Sequence, residues 1–157
     1  MKPIGAIFTP FEKLEKMPIQ PKGAQGTVGK VIINQEYIDG LEDLDGFSHI
    51  YLIYEFHAAY KTELNVTPFM DTKKRGVFST RSPLRPTKIG ISITEIISID
   101  KNIITVKGID ILNATPLLDI KPYIPQFDYV ENVKIKTGWM QKSEEDVINA
   151  TSDDRFL

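Results

Sequence analysis

The stretch from Ile89 to Ile109 limits this chain more than any other. IGISITEIISI (Ile89–Ile99) partly alternates apolar with small or polar residues, Asp100-Lys101-Asn102 follows with turn formers, and IITVKGI completes the run to Ile109. Two β-rich segments joined by a short polar turn read as a β-hairpin. Similar segments rich in Val, Ile, Thr and aromatics lie at Ile4–Thr9, Gly26–Asn34, His49–Phe56, Gly76–Ser79 and Val133–Trp139. Helical signals are weak. Tyr37–Leu44 can hold one short helix, and Glu144–Ala150 another, capped by Ser143 with Glu145 and Asp146 in its first turn. No strand–helix alternation long enough for a doubly wound sheet is present. The expected fold is all-β with minor α: a small antiparallel barrel, closed or nearly so, with short helices. Residues 1–140 are expected to form the barrel domain and 141–157 a C-terminal helix and tail. Thr151–Leu157 either frays or docks through Phe156 and Leu157, and both readings stay open.

At 157 residues the chain suits one domain with a real core. It has no cysteine, which excludes disulfides, thiolate metal ligands and a thiol nucleophile. His49 and His57 are too far apart to read as a local metal motif, so no metal is expected. No apolar run approaches the roughly 18 residues that span a bilayer, and the N-terminal apolar run is too short for a signal peptide. A cytoplasmic, membrane-free protein is the expectation. The net charge of −2 argues against broad nucleic-acid binding, but the charge is unevenly spread. Lys73–Lys88 holds six of the nineteen Lys and Arg and no acid, which leaves thirteen bases against twenty-one acids elsewhere. Such a patch suits a local phosphate backbone or another anion.

Within that loop Arg81 and Arg85 stand four apart beside Pro83 and Pro86. Proline restricts the unbound loop, and guanidinium groups grip carboxylate or phosphate bidentately. A solvated loop salt-bridged to distant acids is the plain alternative. Gly23-Ala-Gln-Gly26-Thr-Val-Gly29 is not a dinucleotide fingerprint, because a strand follows where a phosphate loop needs a helix. Prolines 116, 122 and 125 forbid a helix and disfavour a central strand, and an extended backbone there would point Asp119, Lys121 and Tyr123 to one side. His57 ends an apolar strand, a position used both for chemistry and for structure. Trp139 and the eight Phe are expected in the core, with a base-stacking role open for Phe78, Tyr60 or Tyr123.

Long segments of the chain resemble one family. GVFSTRSPLRPTKIGIS (Gly76–Ser92) is similar to its GVFATRSPxRPNPIGLS, and DILNATPLLDIKPYIP (Asp110–Pro125) to its DLLDGTPVLDIKPYxP. The opening IGAIFTPFEKLEKMPIQPKGAQGTVGKV and the run GLEDLDGFSHIYLIYEFH resemble its N-terminal half. This is the TrmO family, also called YaeB-like, TsaA-like or VirR, and the likeness covers about residues 3–130. It implies a β-barrel methyltransferase unrelated to the Rossmann type, working as a homodimer. The implied reaction is S-adenosylmethionine (SAM)-dependent methylation of N6 of N6-threonylcarbamoyladenosine at tRNA position 37, in the anticodon loop. Some members carry a further C-terminal domain, and this chain looks like a short form.

The resemblance places cofactor contacts on Met17, Pro18, Ile19 and Gln20, on His57 and Ala58, on Arg81 and Ile91, and on Asp110, Ile111, Leu112 and Asn113. Arg81 suits the donor's carboxylate; Asp119 or a backbone carbonyl would accept toward the sulfonium. Lys73, Lys74, Arg75, Arg85, Lys88, Lys121 and Tyr123 are the expected RNA contacts. The proton on N6 goes either to His57 or to the substrate's own threonyl carboxylate. Two departures stand out. The family's RPNP is Arg85-Pro86-Thr87-Lys88 here, and its DGTP is Asn113-Ala114-Thr115-Pro116, where losing the Gly removes easy access to positive φ. Three rivals remain: the same barrel with another methyl acceptor, a non-catalytic barrel that binds the cofactor or RNA, and an RNA-binding barrel without cofactor.

Overall fold

In the computed structural model, which describes residues 1–131 and 134–156, the strand-rich stretches close on one another. Three strands come first: β1 (Gly5–Phe8), β2 (Val28–Ile33) and β3 (His49–Glu55). Two short strands, β4 (Asn65–Val66) and β5 (Arg75–Gly76), pair in the loop that follows. The long β6 (Ile89–Asp100), β7 (Ile103–Lys107) and β8 (Thr115–Pro122) complete the barrel in the order β1-β2-β7-β6-β3-β8, with β8 returning to β1. Every pairing is antiparallel. Closure leaves no exposed barrel edge. Inward residues alternate along the strands, and Ile7, Val31, Ile50, Leu52, Ile104 and Leu117 are fully buried. Each such side chain contributes roughly 1.5–3 kcal/mol relative to exposure.

The hairpin expected at Ile89–Ile109 is present. Lys101 takes a left-handed conformation (φ 54°) in its turn, and Asn102 Nδ2 donates to Ile33 O at 2.9 Å, tying the turn to β2. β6 inverts the usual pattern. Gly90, Ser92 and Thr94 face inward while Ile91 and Ile93 face out. The reason lies on the facing strand: Tyr54 of β3 is paired with Gly90, and a Cβ there would run into the Tyr54 ring.

Several expectations need correction. The first part of the Pro116–Pro125 stretch is a barrel strand, β8 (Thr115–Pro122), paired with β1 at its start and with β3 across a bulge over the rest, while Pro125 opens a helix. The β8 prolines at 116 and 122 occupy the second and last positions, so the missing N–H donors fall at its ends. Gly76–Ser79 is not a strand: after Gly76 the chain winds into a 3-10 turn, with Val77 buried and Ser79 Oγ donating to Gly76 O. Of the expected strand Val133–Trp139, Val133 lies outside the described residues. Residues 134–139 form no ladder, and Trp139 Nε1 instead donates to Ser79 O at 2.8 Å. Tyr37–Leu44 is not one helix. A 3-10 turn at Gln35–Leu41 and another at Leu44–Gly46 are separated by Asp43 with φ 63°. The phenylalanines divide: Phe56 packs against the barrel core and Phe156 and Phe69 join a cluster outside it, while Phe8, Phe47, Phe78 and Phe127 are exposed and Trp139 lines a cavity.

After a single-turn helix α1 (Pro125–Asp128), the chain ends in α2 (Glu144–Asn149), capped by Ser143 in a reciprocal box with Asp146. Beyond α2, Phe156 is buried against Val66, Val77 and Leu84 in a cluster outside the barrel. Leu157, the other docking candidate, lies outside the described residues.

Candidate active site

At one end of the barrel the loops enclose a cavity of about 1010 Å³. That is the upper end of the range for small-molecule sites, roughly 300–1,000 Å³. Five parts of the chain supply its walls: Leu14–Lys22, the end of β3 with Phe56–Ala59, the Phe78–Arg85 segment, the start of β6, and Asp110–Leu112 with Thr115. Thr137–Met140 and residues of the tail close the remaining side.

Arg81 bridges two of these walls. Its Nη1 donates to Gln20 Oε1 at 3.0 Å, across sixty-one positions of sequence. The guanidinium is otherwise open toward the cavity mouth, so it retains donors for an anionic group. The floor is different in character. Ser92 Oγ donates to Asp110 Oδ1 at 2.7 Å, which leaves its oxygen to accept from Tyr54 Oη at 3.2 Å. Burial pushes the Asp110 carboxyl up to about 6, against the Ser92 bond, a backbone bond and the positive charge of Arg81. Burial likewise raises the Tyr54 phenol, which stays protonated. The Asp110 carboxylate is therefore partly compensated by Ser92, a backbone N–H and the charge of Arg81, and burial still leaves it a negative group lining the cavity that favours a cationic ligand.

His57 sits at the rim, where β3 opens into a loop. Thr115 Oγ1 donates to Leu112 O at 2.7 Å, so its 3.2 Å contact with His57 Nδ1 requires Nδ1 to carry the hydrogen. The neutral imidazole then keeps its lone pair on Nε2. Lys88 Nζ donates to Ala59 O, pinning the basic loop beside His57 and Ala58.

Pro18, Ile19, Gln20, His57, Ala58, Arg81, Ile91, Asp110, Ile111 and Leu112 all line this one cavity, as does Arg85. Asn113 does not. Its Oδ1 accepts from Thr9 N at 3.0 Å and its Nδ2 donates to Glu12 Oε1 at 2.9 Å, so it braces the wall from behind. Lys73, Lys74 and Lys88 lie off the wall, and Arg75 pairs with Asp71 at 2.7 Å while covering Trp139 at 5.9 Å. Asp119 is outside the cavity, held by Lys121 at 3.1 Å; Asp110 is the carboxylate in the floor. Lys121 and Tyr123 do not line the cavity: they lie toward the start of β3, Lys121 opposite Tyr51 in the ladder and the Tyr123 ring 5.9 Å from that of Tyr51.

Both departures from the family pattern fall at strained backbone. Ala114 takes φ 58° where the pattern has Gly, a strain of about 1 kcal/mol or more. Lys88 takes φ 50°, which the pattern's proline could not adopt. Sequence reading missed Tyr54, Ser92 and Thr115, because their roles depend on cross-barrel neighbours. Among the described residues no group of three His, Asp or Glu side chains could hold a metal, and no helix is long and apolar enough to cross a membrane.

The site's apolar walls, carboxylate floor and Arg81 at the mouth fit an amphipathic ligand bearing both a cation and an anion. Comparison with known proteins points the same way. The family model described as tRNA-methyltransferase O N-terminal domain matches residues 6–129. A probable S-adenosyl-L-methionine-binding protein of Pyrococcus abyssi is 46% identical over 156 residues, covering 99% of this chain and 84% of the relative. A tRNA (adenine(37)-N6)-methyltransferase of Rattus norvegicus is 32% identical over 87% of this chain, which spans 33% of that enzyme. A crystal structure of TrmO superimposes with a TM-score of 0.72 at 35% identity, over 85% of this chain and 61% of the solved one. On the matched span and the nearly end-to-end archaeal alignment, the chain belongs to the tRNA-methyltransferase O N-terminal-domain family.

Proposed function

We propose that this protein is a SAM-dependent tRNA methyltransferase, acting on N6 of N6-threonylcarbamoyladenosine at position 37. One observation carries the reading: a single cavity joins Gln20, His57, Arg81 and Asp110, which are distant in sequence. The names of the relatives support the donor and the tRNA; the threonylcarbamoyl detail rests on the motif resemblance. SAM, when bound, supplies an electrophilic methyl group on a cationic sulfur.

The residues divide that task. Asp110, ionised above about pH 6, provides negative charge to the donor's cationic end. Arg81 takes the donor's carboxylate and is held toward Gln20. Pro18, Ile19, Ala58, Ile91, Ile111 and Leu112 form the largely apolar walls that exclude water, and Asn113 steadies the Asp110–Leu112 wall from behind. The acceptor nitrogen is a ureido N–H, so its proton must leave as its lone pair is used. His57 Nε2 takes that proton, with Thr115 fixing the ring through Nδ1. Positioning supplies the rest of the rate. Lys73, Lys74 and Arg85 meet the phosphates of the anticodon loop. Arg75 and Lys88 are engaged within the loop and shape it, Arg85 keeps donors beyond its one bond to Thr80 O, and Lys121 and Tyr123 extend the RNA surface along β8. In this reading the enzyme works in the cytoplasm as a homodimer, as the family resemblance implies.

The test is labelled methyl transfer from SAM to threonylcarbamoylated tRNA, with unmodified tRNA alongside. Label on the modified tRNA alone is expected. A protein that binds donor yet labels neither contradicts the proposal. Transfer to a different acceptor would favour a second reading, which the left-handed Lys88 in the altered RPTK turn specifically motivates.

A further inference from the structure

The family match ends at residue 129, but the cavity wall does not. Val147, Ser152, Asp153 and Phe156 line the same space as Gln20 and Arg81. The tail is attached at two places. At the first, Ser152 N–H donates to Met17 O at 2.8 Å, and its carbonyl accepts from Lys16 N at 2.9 Å. Its hydroxyl accepts from Met17 N at 3.1 Å and donates to Leu14 O. Thr151 adds an isolated bridge to Pro18. At the second place, Phe156 is 7% exposed and packs with Val66, Val77 and Leu84, its ring 4.5 Å from that of Phe69. Arg155 Nη1 donates to Pro68 O at 2.8 Å.

These two anchor points bracket the donor-binding pair. Gln20 lies two residues beyond Pro18, and Arg81 lies between Val77 and Leu84. Neither loop is fixed by a barrel ladder. The exposed Gln20–Arg81 bond at 3.0 Å would by itself hold them weakly, since a solvent-facing hydrogen bond contributes about 1 kcal/mol or less. The tail crosses from one loop to the other within residues 152–156, which sets their separation covalently.

We infer that the C-terminal tail is part of the methyl-donor site, with Ser152 and Phe156 as positioning residues that hold Gln20 and Arg81 at binding distance. The inference rests on the donor-site reading above. It predicts that the tail's contribution appears in donor affinity and in KM for donor, and leaves kcat at saturating donor nearly unchanged.

The experiment uses the full chain, with calorimetry and initial rates for SAM on wild type, S152A, F156A and F156L. About tenfold weaker donor binding is expected in S152A and F156A, with F156L close to wild type. Hydrogen exchange on the wild type guards against a variant that fails to fold: adding SAM should slow exchange at the amides of Ser152 and Phe156 together with Met17. Unchanged affinity in a folded F156A, or tail amides indifferent to SAM while Met17 responds, overturns the inference alone. A wild type that binds no SAM overturns the donor-site reading and this inference with it.

Discussion

Replacing Asp110 with Asn should make the free protein more stable and the donor complex weaker. Asp110 Oδ1 accepts from Ser92 Oγ at 2.7 Å, and an amide oxygen can accept the same bond. The substitution therefore keeps the shape and the Ser92 bond, removes the charge, and turns the second oxygen into an N–H donor that can face the cavity. Burial raises the carboxyl from 3.8 to about 6, so the folded protein holds this proton more tightly than the unfolded chain does. The associated stability is fully present below about pH 4 and is lost as pH rises through about 6. A displacement of about two pH units corresponds to at most about 3 kcal/mol at pH 8. The uncharged amide in D110N would be spared that loss. At roughly 2–4 °C per kcal/mol for a chain of this size, D110N should melt above wild type at pH 8 by up to about 6–12 °C. The gap should close by pH 4, where the wild-type carboxyl is largely protonated.

The ligand effect has the opposite sign. A unit charge about 4 Å from a cation contributes up to about 4 kcal/mol at an effective dielectric of 20. Loss of the carboxylate should thus weaken SAM at pH 8 by at least about tenfold, and binding should lose its dependence on pH between 5 and 7. Scanning calorimetry across a pH series and titration calorimetry with SAM read the two effects separately. A D110N protein that melts below wild type at pH 8, or a gap that ignores pH, would refute the reasoning, since both would mean that the carboxylate is satisfied in the free fold.

Other residues give independent checks. In G90A the new Cβ would meet Tyr54 Cζ at 2.5 Å and Phe56 Cζ at 2.9 Å; overpacking of about 1–3 kcal/mol should lower the melting temperature, and an unchanged melt would show that the rings can move aside. H57A should reduce methyl transfer about 100-fold or more at saturating donor while SAM binding stays close to wild type; an unaltered rate would assign the proton to the substrate's carboxylate. Replacing Lys73 and Lys74 with Ala should lower the slope of log tRNA affinity against log salt by about 1–2 while SAM binding stays the same; an unchanged slope would remove both lysines from the RNA surface.

The barrel was readable where local pattern and tertiary role agree. Ile89–Ile109 carries strand formers on both sides of a polar turn, and it folds as that hairpin. It was less readable where closure overrides propensity: Pro116 and Pro122 argue against a central strand, yet their missing donors are tolerated at the ends of β8. Val77–Ser79 looks like a strand because β-branched and aromatic residues dominate it, but burial of Val77 outside the barrel bends it into a turn. The site divides in the same manner. Arg81 stood out through charge and proline spacing, whereas Ser92 reads as a small residue within a strand. Its function emerges only when β3 and β6 bring Tyr54 alongside and the chain returns with Asp110. In the tail the Ser143 cap and Phe156 as a docking residue were legible, but not where they dock, because the contacts with Met17 and Phe69 span more than eighty positions of sequence.

The most direct measurement is a crystal structure with the reaction product S-adenosylhomocysteine bound. The ligand is expected inside the cavity, its carboxylate on Arg81 beside Gln20 and its sulfur facing the Asp110 side, with His57 at the open rim where an acceptor base would enter. Product seated anywhere else on the barrel, or an empty cavity at saturating product, would contradict the donor-site assignment.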